Sequence, residues 1–187
     1  MRIPYVPNPP PTTSESDAAI VSRVQARRGS RGLIPLDLAL LHSPPVADGW
    51  NTFLGAVRTQ TTLPPDLREL IICRVAVHNQ AWFEWAHHAP LLRDAGMSEE
   101  VVEVVKRVDA EDEEVRRVLG AEMVAVLRYT DAMTKTVRVP EEVFGELRRY
   151  FGEREVVEIT ATAAAYNCVS RFLVALDVGE MNEGTAS

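Results

Sequence analysis

The chain has 187 residues, of which 46% are hydrophobic and 25% charged, and this composition predicts one soluble globular domain with a proper core. Its 27 acidic residues exceed its 20 basic ones and give a net charge of -7, which argues against a nucleic-acid partner. No apolar run approaches the roughly 20 residues that cross a bilayer, and no signal-peptide core or transit-peptide pattern occurs. We therefore expect a cytoplasmic protein without a membrane partner.

The first 34 residues predict an arm rather than a domain. Residues 1–13 contain five of the twelve prolines, which predicts an extended segment lying across the body or a neighbouring subunit. A serine N-cap and apolar residues at helical spacing then predict a short helix that ends at Gly29. We divide the chain into an N-terminal arm with this short helix, 1–34, and a helical domain, 35–187.

Apolar residues at helical intervals predict a series of helices over the rest of the chain, separated by Pro, Gly and Ser. No strand pattern of comparable length occurs, so we predict an all-α fold. Pro90 predicts a kink beside His88, because proline removes a backbone donor and clashes with the preceding turn. The predicted helices cover residues 36–41, 46–57, 64–78, 81–95, 98–108, 112–134, 140–152 and 153–177.

The two cysteines, Cys73 and Cys168, lie far apart in apolar helical patterns. They form neither a disulfide framework nor a Cys-x-x-Cys redox motif. Free cysteine is commonly buried as a small apolar side chain, so we interpret both as buried structural thiols. A disulfide between them is the alternative.

Residues 69–88 carry acidic side chains and paired histidines inside apolar sequence. Glu84, His87 and His88 stand at i, i+3 and i+4, so all three project to one side of a helix, and Glu69 can approach them from the preceding helix. A carboxylate and an imidazole together suit proton transfer. Burial near aromatic side chains would disfavour the charged form of a carboxyl group. We interpret Glu69, Glu84 and His88 as a catalytic acid/base site.

Residues near this segment are candidates for substrate contacts. Trp82, Trp85 and His87 could line a pocket, although tryptophan is more often a core residue. A cationic group would stabilise a carboxylate or an enolate, and Arg74 and Arg171 are the helical arginines that we consider for that role.

Two alternatives compete with the acid/base interpretation. Glu84-x-x-His87 has the i, i+3 form found in di-iron helical bundles, but no second copy, HExxH motif or Cys/His cluster accompanies it. We therefore expect no metal and no cofactor. Glu69 could instead be a structural residue, ion-paired with Arg68 or Arg74.

Several motifs resemble the carboxymuconolactone decarboxylase and alkylhydroperoxidase D-like superfamily. The resemblance extends from about Pro35 onward. It implies an all-helical domain that assembles into homotrimers or hexamers, with its active site on the predicted helices 64–78 and 81–95. The matching motifs are REL at 68–70, Asn79, WFEWAHH at 82–88 and LRDAG at 92–96.

The resemblance also implies roles for single residues. In the peroxidase branch, a Cys-x-x-Cys pair and a following histidine perform redox chemistry, and an upstream glutamate completes a proton relay. Glu69 matches that glutamate and His88 matches that histidine, but Ala81 and Glu84 occupy the cysteine positions. Peroxide reduction by disulfide exchange then has no nucleophile. The chain therefore resembles the cysteine-free, decarboxylase-like branch.

These observations predict a cofactor-independent lyase or isomerase: a decarboxylase, or a lactone or ring isomerase or cyclase, acting on a small carboxylated or polyketide-like substrate. The alternative is a non-catalytic helical homo-oligomer that binds a small molecule in an apolar pocket. Substitution of Glu84 or His88 separates the two, because turnover would be abolished in the first case and affinity would change modestly in the second.

Overall fold

The computed structural model describes residues 1–182. Within them it contains α-helices, one 3-10 turn at Gly29–Arg31 and no strand, which confirms the predicted all-α fold. The helices are α1 (Glu15–Arg28), α2 (Pro35–Leu40), α3 (Pro44–Thr59), α4 (Pro65–His78), α5 (Trp82–Asp94), α6 (Glu99–Lys106), α7 (Asp112–Thr136), α8 (Glu141–Leu147) and α9 (Glu153–Leu176).

Capping and proline residues explain where most of the helices begin. Ser14 and Ser98 accept hydrogen bonds from backbone N–H groups in the first turns of α1 and α6. Proline lies in the first turn of α2, α3 and α4, where a backbone N–H would have no partner within the helix. Pro140, which the sequence predicts in the first turn of a helix, is the N-cap of α8.

Two details differ from the sequence predictions. Residues 112–134 predict one continuous helix, but Gly120 breaks the helical backbone of α7 with a φ of 74°. Glycine adopts this left-handed conformation without a Cβ clash. Of the two free cysteines, Cys168 is exposed rather than buried.

The helix α5 runs through Pro90 to Asp94, close to the predicted range 81–95. Proline has no N–H, so the carbonyl of Ala86 loses its helical partner. Ala86 is exposed, and this carbonyl can be hydrated. The kink at Pro90 stays a prediction.

The helix α4 lies at the centre of the fold, in contact with α5, α7 and α9. Leu70 and Ile71 on one side of α4 belong to a core cluster with α6 and α7, and Ile72 and Val75 belong to a second cluster with α2, α3 and α9. A helix that is apolar on all sides is buried. The carboxylate of Glu69 on α4 is therefore held inside the protein.

Among the described residues, α9 is the one helix whose length and apolar composition would let it span a membrane. It packs against α3, α4 and α7, and it buries the polar side chains of Thr162 and Ser170. These features are those expected of a helix in a protein core.

The N-terminal segment lies across the body of the same chain. The Arg2 N–H donates to the carbonyl of Leu176 over 2.8 Å, and the Tyr5 hydroxyl accepts from the Gly179 N–H over 2.8 Å. The helix α1 packs against α3. The first segment therefore contacts the end of α9, the turn that follows it and α3, and the division at residue 34 stays a prediction.

Candidate active site

Glu69 on α4 and His88 on α5 form a buried pair. Glu69 Oε2 lies 2.6 Å from His88 Nδ1, and the two residues are only 3% and 7% exposed. The two helices pack directly against each other, so neighbouring core residues restrict both side chains. The structure thus brings together two residues that the sequence places 19 positions apart.

Burial and the hydrogen bond between Glu69 and His88 together set the protonation of this pair. Burial lowers the pKa of His88 below its ordinary value of 6.5, although Glu69 acts in the opposite direction. Burial alone would raise the pKa of Glu69, but the hydrogen bond from His88 and the charges of Arg58 and Arg68 outweigh it and lower that pKa. At neutral pH, a neutral His88 therefore donates through Nδ1–H to the Glu69 carboxylate.

This arrangement leaves the second ring nitrogen of His88 free. Within residues 1–182, Nε2 has no hydrogen-bond partner in the protein. The hydrogen bond to Glu69 fixes the tautomer, so Nε2 carries the lone pair. Such a nitrogen can accept a proton from a bound molecule, and the Glu69 carboxylate would stabilise the resulting imidazolium.

Glu84 lies one helical turn before His88 on α5 and is 2% exposed. Neither of its carboxyl oxygens has a hydrogen-bond partner among the described residues. Complete burial raises its pKa well above the ordinary value of 4.5. An ionised carboxylate without a partner would be strongly disfavoured here, so Glu84 is a neutral carboxylic acid at neutral pH.

Glu84 and His88 line a cavity of about 240 Å³, here named the inner cavity. Its volume lies below the roughly 300–1,000 Å³ of typical ligand pockets, which restricts it to a small molecule or to one part of a larger one. Its walls combine apolar and cationic groups. The lining also includes Arg27, Arg31, Trp50, Arg58, Phe83 and His87.

A second cavity of about 520 Å³, here named the outer cavity, adjoins the first. Glu69 lines the outer cavity, whereas His88 lines the inner one. The hydrogen-bonded pair therefore lies between the two spaces. The residues common to both cavities are Arg27, Arg28, Arg31, Arg58 and Leu91.

The arginines between the cavities are mostly without acidic partners. Arg28 binds Asp37 through two hydrogen bonds of 2.7 Å. Arg27, Arg31 and Arg58 form no ion pair within the part of the chain that the structure describes. Burial, followed by the charges of Arg28 and Arg58, lowers the pKa of Arg27. These cations make the cavities suitable for anions.

The arginines that the sequence analysis selected lie elsewhere. Arg74 donates two hydrogen bonds to Asp131, over 2.6 and 2.8 Å, and two more to backbone carbonyl oxygens. Arg171 is exposed and donates to Asn167. Neither residue lines the inner or the outer cavity. The donors of Arg74 are already engaged in structural contacts, so it has little capacity to bind a ligand.

The aromatic wall of the inner cavity also differs from the prediction. Trp82 and Trp85 do not line the inner cavity, and Trp85 packs against the core instead. Trp50 and Phe83 take their place. His87 lines the cavity as predicted; its ring lies 4.2 Å from that of Phe83, and its Nδ1 lies 2.7 Å from the Phe83 carbonyl oxygen.

Tyr166 on α9 is a neighbour of the site that the sequence analysis missed. Its ring meets that of His88 edge to face, with centroids 5.1 Å apart and an angle of 83° between planes. This contact helps to fix the orientation of the imidazole. Burial raises the pKa of Tyr166, so it stays neutral. The surrounding small-residue sequence carried no signal of a site.

The metal alternative receives no support from this geometry. In residues 1–182, no group of three or more His, Cys, Asp or Glu side chains is arranged to hold a metal ion. Glu84 is deeply buried, and His87 directs its Nδ1 to a backbone carbonyl.

The chain is similar to several known proteins. The sequence profile of the carboxymuconolactone decarboxylase family matches residues 44–132. No curated protein sequence matches the chain. A solved structure of a protein of unknown function from Agrobacterium tumefaciens is 25% identical and has a TM-score of 0.65, with 73% of this chain and 90% of that chain covered.

Two further solved structures share the fold at lower identity. An AhpD-core, uncharacterized peroxidase-related protein from Ralstonia eutropha JMP134 is 19% identical, with a TM-score of 0.69 and coverage of 92% of this chain and 93% of that chain. The apo debrominase Bmp8 is 18% identical, with a TM-score of 0.71 and 88% of each chain covered.

The family profile spans α3 to α6 and most of α7, so it includes both helices that carry Glu69, Glu84 and His88. The solved structures extend the likeness to the helices that surround these two. The motifs REL at 68–70 and WFEWAHH at 82–88 lie inside the matched region. Residues 44–132 of the chain therefore match the carboxymuconolactone decarboxylase family, and the fold is similar to that of alkylhydroperoxidase D-like proteins.

Proposed function

We propose that the protein is a cofactor-independent acid/base enzyme, a decarboxylase or a lactone or ring isomerase or cyclase, that acts on a small carboxylated or polyketide-like substrate. One observation carries this proposal. The helix α5 presents a neutral carboxylic acid, Glu84, and a neutral imidazole, His88, one turn apart on the wall of a single small cavity. An acid and a base positioned together are the requirement of such reactions.

In an isomerisation, His88 Nε2 would remove a proton from the carbon next to a substrate carbonyl group. The electron pair of that C–H bond moves toward the carbonyl oxygen, and Glu84 returns a proton at another carbon. His88 then passes its proton to Glu84, directly or through solvent, so both groups regain their starting protonation states and no net proton is consumed. The Glu69 carboxylate, 2.6 Å from Nδ1, stabilises the imidazolium between these steps.

In a decarboxylation, the bond between the substrate and its carboxylate breaks and carbon dioxide leaves. The bonding electrons remain on the substrate carbon, conjugated with a neighbouring carbonyl group. Glu84 supplies the proton that this carbon takes up, and it regains a proton from solvent. The outer cavity next to Glu69 gives solvent access to the hydrogen-bonded pair.

Arginines at the inner cavity support a carboxylated substrate. Arg27 and Arg58 line it without acidic partners among the described residues. Guanidinium groups bind carboxylates through two parallel hydrogen bonds and stabilise enolates by their charge. They take the role for which Arg74 and Arg171 are unsuited.

Thiol peroxidase activity is unsupported. Ala81 and Glu84 stand at the positions of the peroxidase cysteines. Cys73, on α4, is buried, and burial together with the charge of Glu69 raises the pKa of its thiol. A thiol of this kind is a poor nucleophile because the thiolate is the reactive form. The name of Bmp8, a debrominase, supports enzymatic activity on this fold and does not identify the substrate here.

The test is mass spectrometry of substrates incubated in deuterated buffer. The panel contains γ-lactone acids, β-keto acids and aromatic polyketide acids, and the readouts are loss of carbon dioxide and uptake of deuterium. We expect turnover with the wild type, a loss of about 100-fold or more in Glu84→Gln and His88→Ala, and none in the exposed control Glu99→Gln. Tight binding of a panel member without exchange or product would instead support the non-catalytic alternative.

The assembly is proposed from the resemblance to the alkylhydroperoxidase D-like superfamily. We infer a homo-oligomer of three or six copies in the cytoplasm, with a small molecule rather than nucleic acid or a membrane as its ligand. Light scattering of the purified protein should then give three or six times the chain mass of 20.8 kDa. A mass of 20.8 kDa at micromolar concentration would contradict the assembly.

A further inference from the structure

Unpaired positive charge is concentrated at the outer cavity. Its lining includes two acidic residues, Glu69 and Asp94, and the five arginines Arg27, Arg28, Arg31, Arg58 and Arg68. The whole chain has a net charge of -7, so this cluster opposes the overall charge. Like charges held together destabilise a fold unless something neutralises them. The cluster therefore requires a physical explanation.

Contacts inside the protein neutralise only part of this charge. Asp37 neutralises Arg28. Arg68 Nε lies 3.5 Å from Glu69 Oε1, an ion pair without a hydrogen bond, and Arg68 Nε is buried without a partner. Arg27 Nε is likewise buried without a hydrogen-bond partner in the part of the chain described. A buried donor without an acceptor is disfavoured by its lost hydration. The described part of the protein therefore supplies no hydrogen-bond acceptor for the Nε donors of Arg27 and Arg68.

The sizes of the two cavities indicate what supplies these acceptors. The inner cavity, of about 240 Å³, contains the acid/base groups, and the outer cavity, of about 520 Å³, contains more arginines but no second acid/base pair. One carboxylate is satisfied by one guanidinium fork. Three unpaired arginines, Arg27, Arg31 and Arg58, around the larger space fit a group with more oxygens and more charge.

We propose that the outer cavity is a binding subsite for a phosphate or diphosphate group carried by the substrate. Arg31 and Arg58 would bind its oxygens, and Arg27 would bridge it to the reacting part in the inner cavity. This inference rests on the proposed function only in placing the reacting part beside His88. It adds that the substrate is a phosphorylated molecule whose charged end remains outside the inner cavity.

The test uses inorganic phosphate and pyrophosphate as probes, with succinate and citrate as carboxylate comparisons. Binding is measured by isothermal titration calorimetry at constant ionic strength. We expect pyrophosphate to bind more tightly than phosphate and both to bind more tightly than the carboxylates. Arg31→Gln and Arg58→Gln should each weaken pyrophosphate binding about tenfold or more, because each removes a charge-assisted hydrogen bond.

Arg23→Gln is the matched control. Arg23 lies on α1 one turn before Arg27, is exposed, pairs with Asp48 and lines neither cavity. Its substitution should leave pyrophosphate affinity within about twofold. Absence of binding at millimolar pyrophosphate, equal weakening in all three variants, or tighter binding of citrate than of pyrophosphate would each overturn the subsite.

The acid/base function and the phosphate subsite can be tested independently of each other. Glu84→Gln and His88→Ala should retain pyrophosphate binding, because neither residue lines the outer cavity. Turnover of the lactone and keto acids without pyrophosphate binding would leave the acid/base function standing and reject the subsite. Pyrophosphate binding without turnover of any phosphorylated or unphosphorylated acid would retain the subsite and reject the proposed catalysis.

Discussion

Glu84 and His88 lie one turn apart on α5, and burial shifts their pKa values in opposite directions. The carboxyl group keeps its proton while the imidazole loses its own. A single desolvated helix face thereby provides an acid and a base at the same pH, with no change in conformation.

This relationship predicts a bell-shaped pH profile for kcat/KM. Below its folded pKa, which lies under 6.5, His88 is protonated and cannot accept a proton, so activity falls at acidic pH. Above the folded pKa of Glu84, which lies well above 4.5, the acid is ionised and activity falls again. Residual activity of Glu84→Gln should lack the alkaline decline. If the kcat/KM of the wild type already decreased as the pH rises from 5 to 7, Glu84 would titrate near its ordinary value.

Glu84 should also make the protein less stable as the pH rises. Its folded pKa is raised, so its contribution to stability is fully present below the unfolded pKa near 4.5 and is lost as the pH rises toward the folded pKa. We therefore expect Glu84→Gln to melt at a higher temperature than the wild type at pH 8, with a smaller difference at pH 5. Thermal melts of both proteins, alongside Glu99→Gln, measure this trend. A difference that shrinks as the pH rises would contradict a buried neutral Glu84.

Gly179 contacts the aromatic wall of the inner cavity. A β-carbon at this position would lie 2.1 Å from Cδ2 of Phe83. The backbone φ of Gly179 is 80°, a conformation that disfavours any side chain. Gly179→Ala should lower the free energy of unfolding by about 1–3 kcal/mol and raise KM by displacing Phe83. The control Gly145→Ala, in α8 with open space around it, should be neutral or stabilising by about 0.5–1 kcal/mol. Equal effects of both substitutions in chemical denaturation would refute the contact.

Asp131 should be a structural residue without a direct catalytic role. It binds Arg74 on α4 and lies 2.7 Å from His78 Nε2. Asp131→Ala leaves the buried Arg74 charge unpaired and should destabilise the fold by about 3–5 kcal/mol, measured by urea unfolding. Removal of the exposed Arg154, which pairs with Glu158, should have a far smaller effect. A loss of turnover without a loss of stability would instead place the Asp131 network in catalysis.

Local signals in the sequence explain why most helix positions were predictable. Serine caps, prolines in first turns and apolar spacing act within a few residues, so they located α1, α4 and α6 closely. Gly120 was visible in the sequence, but the apolar pattern continues across it, and only the backbone geometry reveals the break in α7. Spacing along one helix likewise identified Glu84 and His88 as neighbours.

The cationic part of the site was not predictable in the same way. Arg27 and Arg31 come from the segment assigned to an arm, and only the packing of α1 against α3 brings them beside Arg58. Arg74 shares a helix with Glu69, which suggested a role at the site, but its partner Asp131 lies 57 residues away. Contacts between segments that are distant in the sequence produce no regular spacing of residues from which they could be predicted.

The close approach of Gly179 to Phe83 also limits how this chain can evolve. The two positions are 96 apart in sequence, yet the absence of a side chain at one gives space to the ring at the other. A lineage that acquires a side chain at position 179 needs a smaller residue at position 83, acquired earlier or at the same time. Because that ring also forms the cavity wall, drift in the C-terminal turn would change which molecules the cavity admits. The ligand preference of such relatives should therefore vary together with position 179, which lies outside α4 and α5.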